Sequence, residues 1–219
     1  MSGKFIVFEG VEGSGKTTQI QQIQSWLQRC RLLDPATRIV TTREPGGTAL
    51  GQQLRQILLQ STDDLIQDRT ELLLYAADRA QHVEAYLKPL LAAGAIVLCD
   101  RYTDSTVAYQ GYGRQLDQIL IEQLNQIATG GLVSDLTFWL DVEVELGLER
   151  AQGRAAHDRI ERADLSFHRR VQQGFTQLAA AHPQRIVRID ASLSPEAVSQ
   201  QIQQVLQARL QDWYGIEFA

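Results

Sequence analysis

Gly10-Val11-Glu12-Gly13-Ser14-Gly15-Lys16-Thr17 is the stretch whose reading decides the fold. It fits the pattern G-x-x-x-x-G-K-[ST]. It lies between an apolar run, Phe5-Ile6-Val7-Phe8, and a segment with apolar residues at Ile20, Ile23 and Leu27. Strand, glycine-rich turn and helix in that order make a phosphate cradle. Successive backbone N–H groups surround phosphate oxygens, and the helix points the positive end of its dipole at them. Glycine serves where the chain must take left-handed dihedrals or let a ligand approach the backbone. In this chemistry Lys16 reaches the outer phosphates of a nucleotide and the Thr17 hydroxyl ligates Mg2+. At average composition such a match arises by chance in about one chain in a hundred of this length.

On the C-terminal side the chain keeps alternating. Strand-like runs at Arg38–Thr41, Ile96–Cys99, Leu136–Leu140 and Arg185–Ile189 follow the first at Phe5–Phe8. Helical patterns fill Thr17–Arg31, Asp68–Ala93, Leu116–Ala128, Phe167–Ala181 and Pro195–Gln211. Four of the five strand runs are apolar enough to be buried on both faces, as a parallel sheet requires. This predicts an α/β, doubly wound architecture.

The 219 residues, 44% of them hydrophobic and 21% charged, suffice for one domain spanning 1–219 and exclude disorder as the main state. A net charge of −5 argues against a nucleic-acid coat, so anion binding must come from a local cluster. No run of 18 apolar residues predicts a membrane span. The N-terminus, Met1-Ser2-Gly3-Lys4, lacks a signal-peptide core. Cys30 and Cys99 have no CxxC or Cys/His companion. A reducing, cytoplasmic setting is the expectation.

Ligands of open α/β sheets bind beyond the carboxyl ends of the strands. There the sequence places Glu9 with the phosphate loop, then Arg43-Glu44-Pro45-Gly46-Gly47-Thr48, then Asp100-Arg101-Tyr102. Asp100 is the carboxylate for a second Mg2+ contact, direct or through water. Arg43 and Arg101 suit a phosphate that is not the phosphate loop's own, which implies phosphoryl transfer between two phosphorylated ligands. The plainer reading pairs each arginine with its neighbouring acid, Glu44 or Asp100. From about Gln152 to Asp164, arginines crowd a stretch short of large apolar residues. It is either an exposed salt-bridged helix pair or a cationic lid.

The chain resembles the thymidylate kinases of bacterial type. The residues that carry the match are Phe8–Thr18, Arg43–Thr48, Leu74-Tyr75-Ala76-Ala77-Asp78-Arg79-Ala80-Gln81-His82, Asp100–Gly111, Leu140-Asp141 and Asp158-Arg159-Ile160-Glu161. The resemblance implies a P-loop kinase fold: a five-stranded parallel sheet flanked by helices, with a small helical lid over about 150–164. It implies transfer of the ATP γ-phosphoryl to dTMP, assisted by Mg2+, giving dTDP and ADP, in a homodimer. Gly10, Glu12, Gly13, Ser14, Gly15, Lys16, Thr17 and Thr18 would cradle the ATP phosphates, with Thr17 and Asp100 at the metal. Arg43 and Arg101 would grip the dTMP phosphate, and Glu12 would approach the sugar 3′-hydroxyl. Tyr75 would stack on thymine and Arg79 would bond its O4; four apart, they share one helical face. Tyr109 would close the sugar site, Gln110 would meet the base, and Ser105 and Thr106 would line the same wall. The loop carries no arginine, so Arg154, with Arg150 and Arg159 beside it, would neutralise the transferring phosphoryl. Adenine would pack near Asp190–Ser194.

Three residues depart from the family pattern: Val144 where proline is usual, Tyr75 where phenylalanine is commoner, and Gln152 where a basic residue is frequent. Rival readings are a kinase for another nucleotide or deoxynucleoside, a nucleotide-driven switch or mechanical ATPase, and a silent nucleotide-binding subunit. The last sits poorly with intact Lys16, Thr17 and Asp100.

Overall fold

Five strands form one all-parallel sheet in the order β2-β3-β1-β4-β5: β1 Lys4–Glu9, β2 Ile39–Arg43, β3 Ile96–Asp100, β4 Leu136–Asp141 and β5 Ile186–Asp190. The computed structural model describes residues 2–29, 33, 34, 36–60, 66–152, 159, 160 and 163–215. Cys30, Arg154, Asp158, Glu161 and Arg162 lie outside the described residues. All five expected strands are present, and each runs one or two residues further than its apolar run. At the carboxyl ends the added residues are Glu9, Thr42 with Arg43, Asp100, Asp141 and Asp190. Hydrophobicity stops where the side chains turn toward a crevice, while the backbone ladder continues. Arg43 is thereby in register with Asp100, and Asp100 with Phe8.

β1 lies at the centre, and its Phe5–Phe8 run is wholly buried. Ile6 and Phe8 pack on one face with Leu98, Leu136 and Phe138, while Phe5 and Val7 pack on the other with Val97 and Cys99. This is the period-two alternation of a sheet covered on both sides. Burial pushes the Cys99 thiol well above its usual range, so it behaves as a small core residue. β2, at an edge, is only partly buried, which is why its run is the least apolar.

Helix α1 (Lys16–Arg29) buries Ile20, Ile23 and Leu27 as expected. α2 (Ala49–Gln60) was not among the expected helices. The expected 68–93 helix is α3 (Asp68–His82), a π-helical turn at Val83–Leu87, and α4 (Lys88–Ala92). A further short helix, α5 (Thr103–Thr106), runs into a π-helical stretch at Val107–Gly113. α6 (Gln118–Thr129) is capped by Asp117, which accepts from Ile119 and Leu120 N–H, and ends at left-handed Gly130. α7 (Val144–Gln152), also unexpected, begins at Val144, whose side chain is buried; the departure from proline there supplies core. α8 (Leu165–Ala181) is capped by Asp164, and α9 (Pro195–Tyr214) by Ser194 with Pro195 in the first turn.

Two glycine contacts seat the π-helical stretch on α8. A Cβ at Gly174 would lie 2.9 Å from the Tyr112 ring and 3.0 Å from Ala108 Cα, and one at Gly113 would lie 2.6 Å from the Phe167 ring. That close approach holds Tyr109 and Gln110 over the carboxyl end of β1 and β3. Among the described residues, no helix is long and apolar enough to cross a membrane.

Candidate active site

The chain order reverses across β1, whose neighbours are β3 and β4, and a cleft of about 1050 Å3, counting its open mouth, lies beyond the strands' carboxyl ends. The phosphate loop forms its floor. Gly10, Gly13 and Gly15 hold φ values of +144°, +69° and +88°. A Cβ at Gly13 would meet the Gly147 carbonyl of α7 at 1.9 Å, whereas one at Gly15 would meet nothing. Gly13 therefore answers to packing, and Gly15 to conformation and ligand approach.

Lys16 Nζ folds back over its own loop, donating to Gly10 O and Val11 O at 3.0 Å and to Ser14 Oγ at 3.4 Å. Burial, then the Arg101 charge, holds its ammonium below the usual lysine range. Arg101 approaches from the other side. Its backbone is left-handed, with φ +70°, a strained geometry for a non-glycine residue. Its guanidinium donates to Gly10 O at 3.0 Å, to Ser105 Oγ at 3.2 Å and to the Glu12 carboxylate. It also lies 4.8 Å over the Tyr109 ring. Burial works against its charge, but Glu12, Tyr109 and Asp100 outweigh that and hold it firmly protonated. Tyr109 Oη donates to Glu12 at 3.4 Å, and burial raises its phenol far above the ordinary value.

The donor set for a divalent cation is present. Thr17 Oγ1 lies 3.4 Å from Asp100 Oδ2, and Asp100 Oδ1 is buried without a hydrogen-bond partner. A hydroxyl and a half-committed carboxylate beside the phosphate loop are hard oxygen donors of the kind Mg2+ takes together with phosphates.

Glu9, at the end of β1, takes part in shaping the site. It is fully buried and accepts from Tyr102 N (2.8 Å), Ser105 N (3.1 Å) and Ser105 Oγ (2.5 Å). Burial, then the neighbouring Asp104, pushes its carboxyl up to about 7. Asp104 is gripped bidentately by Arg185 at 2.6 and 2.8 Å.

The wall expected to face the acceptor comes from β2, α3 and the π-helical stretch. Arg43, Tyr75, Arg79, Ser105, Thr106, Tyr109 and Gln110 all line the cleft. Arg79 is buried and donates to Glu44 (2.8 Å), Thr106 Oγ1 (2.8 Å), Asn125 Oδ1 (2.7 Å) and the Tyr102 carbonyl (3.0 Å). One of its five N–H groups is left over. Glu44 is held by Arg79 and by His82 Nδ1 at 2.8 Å, and Arg101 takes Glu12, so the neighbouring-acid pairings do not form. Arg55 on α2 is a cation that sequence reading missed. It lines the cleft, donates to Pro45 O at 3.0 Å, and is pulled below its usual range by burial and then by Arg43. Its signal was the apolar spacing Leu50, Leu54, Ile57, Leu58 around it.

Two of the arginines expected at a lid point elsewhere. Arg150 donates to Ala191 O (2.8 Å) and Ser192 O (3.1 Å), on the loop expected to hold adenine. Arg159 donates to Leu58 O at 3.1 Å and to the Glu71 carboxylate. Arg154 lies outside the described residues.

With this geometry in place, comparison decides the family. The thymidylate kinase profile matches residues 8–202. The chain belongs to the thymidylate kinase family. A thymidylate kinase of Trichodesmium erythraeum is 59% identical over 224 residues, 97% of this chain and 99% of that one. One of Nostoc punctiforme is 60% identical over 212 residues, 96% and 98% of the two chains. The crystal structure of the Ehrlichia chaffeensis thymidylate kinase shares 34% identity and superposes with a TM-score of 0.79 over 94% of this chain and all of that one. Thymidylate kinase membership makes this an enzyme of ATP-dependent dTMP phosphorylation.

Proposed function

We propose that the cleft transfers the ATP γ-phosphoryl in line to a dTMP phosphate oxygen, with donor and acceptor phosphates meeting at Gly10. One observation carries this reading: Lys16 Nζ and Arg101 Nη1 both lie 3.0 Å from the same Gly10 carbonyl oxygen. One cation belongs to the phosphate loop and the other to the acceptor wall, so two phosphate groups drawn to them face each other.

In this reading residues Gly10 to Thr18 and Lys16 hold the ATP phosphates. Arg43 and Arg101 orient the acceptor phosphate. Tyr75, Gln110 and the spare Arg79 hydrogen face the base, while Glu12, Ser105, Thr106 and Tyr109 bound the sugar. The acceptor oxygen is already ionised at pH 7, so positioning and charge neutralisation supply the rate without a general base. Thr17 and Asp100 would hold Mg2+, which when bound neutralises charge on the phosphate oxygens. Arg154 would come to the equatorial oxygens from the lid. Arg150 and Arg159 are held away from the transferring phosphoryl and brace the site instead, Arg150 at the adenine loop and Arg159 at the Glu71 wall.

The whole chain would act as one domain in the cytoplasm and as a homodimer. The dimer is supported by exposed apolar residues on three adjoining helices: Leu50 and Ile57 of α2, Leu73 of α3, and Ile119 and Ile127 of α6. Light scattering at micromolar concentration checks it; a monomer refutes it.

The test of function is ADP release with ATP and Mg2+, offering dTMP, dUMP, the thymine ribonucleotide, dCMP, dGMP or AMP singly, with a no-acceptor control. Turnover with dTMP, and weaker turnover with dUMP, is expected. Preference for another acceptor overturns the base-site assignments. ADP release without acceptor overturns the two-phosphate reading of Arg43 and Arg101.

A further inference from the structure

We propose that Glu71 is a positioning residue for the acceptor base, because its one buried carboxylate sets both the direction of the Gln110 amide and the place of the Arg159–Ile160 wall. The inference rests on the reading of Gln110 and Tyr75 as base contacts and adds what orients Gln110.

Glu71 sits in the first turn of α3 and is 0% exposed. A carboxylate so buried needs donors around it, and they arrive from distant parts of the chain. Gln110 Nε2 donates at 2.7 Å and Arg114 Nη2 at 3.2 Å, and Arg159 Nη2 donates from beyond α7. A carboxylate facing two guanidinium groups accepts and does not donate, so the Gln110 amide must turn its NH2 toward Glu71. Its carbonyl oxygen is then free toward the cleft that Gln110 lines. A pyrimidine ring of the thymine type presents an N3–H donor between two carbonyl acceptors. An inward amide oxygen matches that donor, and an inward NH2 would not. Glu71 thus decides which face of the amide the base meets.

The same carboxylate holds the opposite wall. Arg159 is stitched to α2 by its backbone N–H to Leu59 O at 3.4 Å and by Nε to Leu58 O at 3.1 Å, and to α3 by Glu71. The next residue, Ile160, is buried and lines the cleft beside Leu59 and Tyr75. Removing the charge from Glu71 loosens both walls together.

The experiment measures steady-state constants for Glu71→Gln, Arg159→Met, the double variant and Gln110→Ala. Glu71→Gln keeps the shape but sets an NH2 where one oxygen accepted from two donors. It should raise KM for dTMP about tenfold, the size of one charge-assisted hydrogen bond, with kcat and KM for ATP within about twofold. Arg159→Met should raise KM for dTMP by less, and the double variant should be no worse than Glu71→Gln alone, as for residues acting through one another. If kcat and both KM values worsen together along with Tm, Glu71 is merely structural and the proposal is overturned. It is also overturned if Gln110→Ala raises KM for dTMP while Glu71→Gln and Arg159→Met leave it unchanged, and the base-site reading then survives. If Gln110→Ala itself has no effect, the base-site reading falls and takes this proposal with it. Should Glu71→Gln fail to fold, Arg159→Met, which removes one partly exposed donor, decides by the same KM criterion.

Discussion

Replacing Gly147 by alanine tests whether α7 and the phosphate loop are pressed together as the structure has them. Within a helix interior the change should stabilise by about 1 kcal/mol, the ordinary advantage of alanine over glycine. Here the new Cβ would lie 2.6 Å from the Glu12 carbonyl oxygen, a backbone atom that cannot swing aside. Side-chain carbons do not approach closer than 3.0 Å, so loop and helix must part by at least 0.4 Å (3.0 less 2.6). Such overpacking costs about 1–3 kcal/mol, so the net change runs from neutral to about 2 kcal/mol destabilising. For a chain of this size Tm should hold or fall by up to about 8 °C. The loop's N–H groups move with Glu12. Since about 1 Å of misplacement can cost a hundredfold, a shift near half that should raise KM for ATP about tenfold. KM for dTMP, whose phosphate is proposed to lie on Arg43 and Arg101, should change less. The assay pairs a thermal melt with both KM values. A Tm raised by about 2–4 °C, the yield of 1 kcal/mol at this size, with KM for ATP unchanged would refute the reasoning. It would mean that the helix gives way and the loop does not.

Other expectations concern charge. Glu9 titrates in the fold near 7 against an ordinary 4.5. Its neutral form is therefore the one folding favours, and wild type should lose stability relative to Glu9→Gln as pH rises from 5 to 7, by about 1.4 kcal/mol per pH unit, levelling above 7. Chemical denaturation at several pH values reads this, and a flat difference contradicts it. Arg154→Ala should lower kcat by about a hundredfold or more with modest KM changes; a loss of only a few-fold assigns the transferring phosphoryl to another cation. Arg185→Met strands the buried Asp104 carboxylate and should destabilise by about 3 kcal/mol or more, measurable as a depressed denaturation midpoint. An unchanged midpoint would mean the pair contributes nothing net.

What could be read in advance was local. The phosphate loop, the five strands and the amphipathic helices at 68–93 and 195–211 declare themselves over short windows, because dihedral demands and periodic burial act between near neighbours. α2 was legible as well, since Leu50, Leu54, Ile57 and Leu58 keep helical spacing, although Leu50 and Ile57 face outward in the fold. The strand ends were read short because Glu9, Arg43 and Asp100 are polar while still in the ladder. The arginines were legible as a cluster but their partners were not. Glu12 holds Arg101 across 89 positions, Glu44 holds Arg79 across 35, and Glu71 holds Arg159 across 88. Such pairings belong to the sheet order and no window of sequence contains them. The Gly113 and Gly174 contacts with α8 were hidden for the same reason.

The strand order has a genetic consequence. β2 and β3 make one wing of the sheet, and with α3, α5 and the π-helical stretch they supply nearly every residue proposed to contact the acceptor, from one unbroken run between Arg43 and Gln110. β4, β5 and the loops after them form the other wing, and β1 is the spine between. Acceptor choice is therefore written as a cassette. A recombination that swaps residues 39–114 between two related enzymes exchanges one substrate preference and leaves the phosphate loop untouched. The join must also match its stitches to the rest of the chain: the ladder between β1 and β3, the seat of the π-helical stretch on α8, the Glu9 bonds to Tyr102 and Ser105, the Arg79–Asn125 bond, and the Glu12–Arg101, Asp104–Arg185 and Glu71–Arg159 ion pairs.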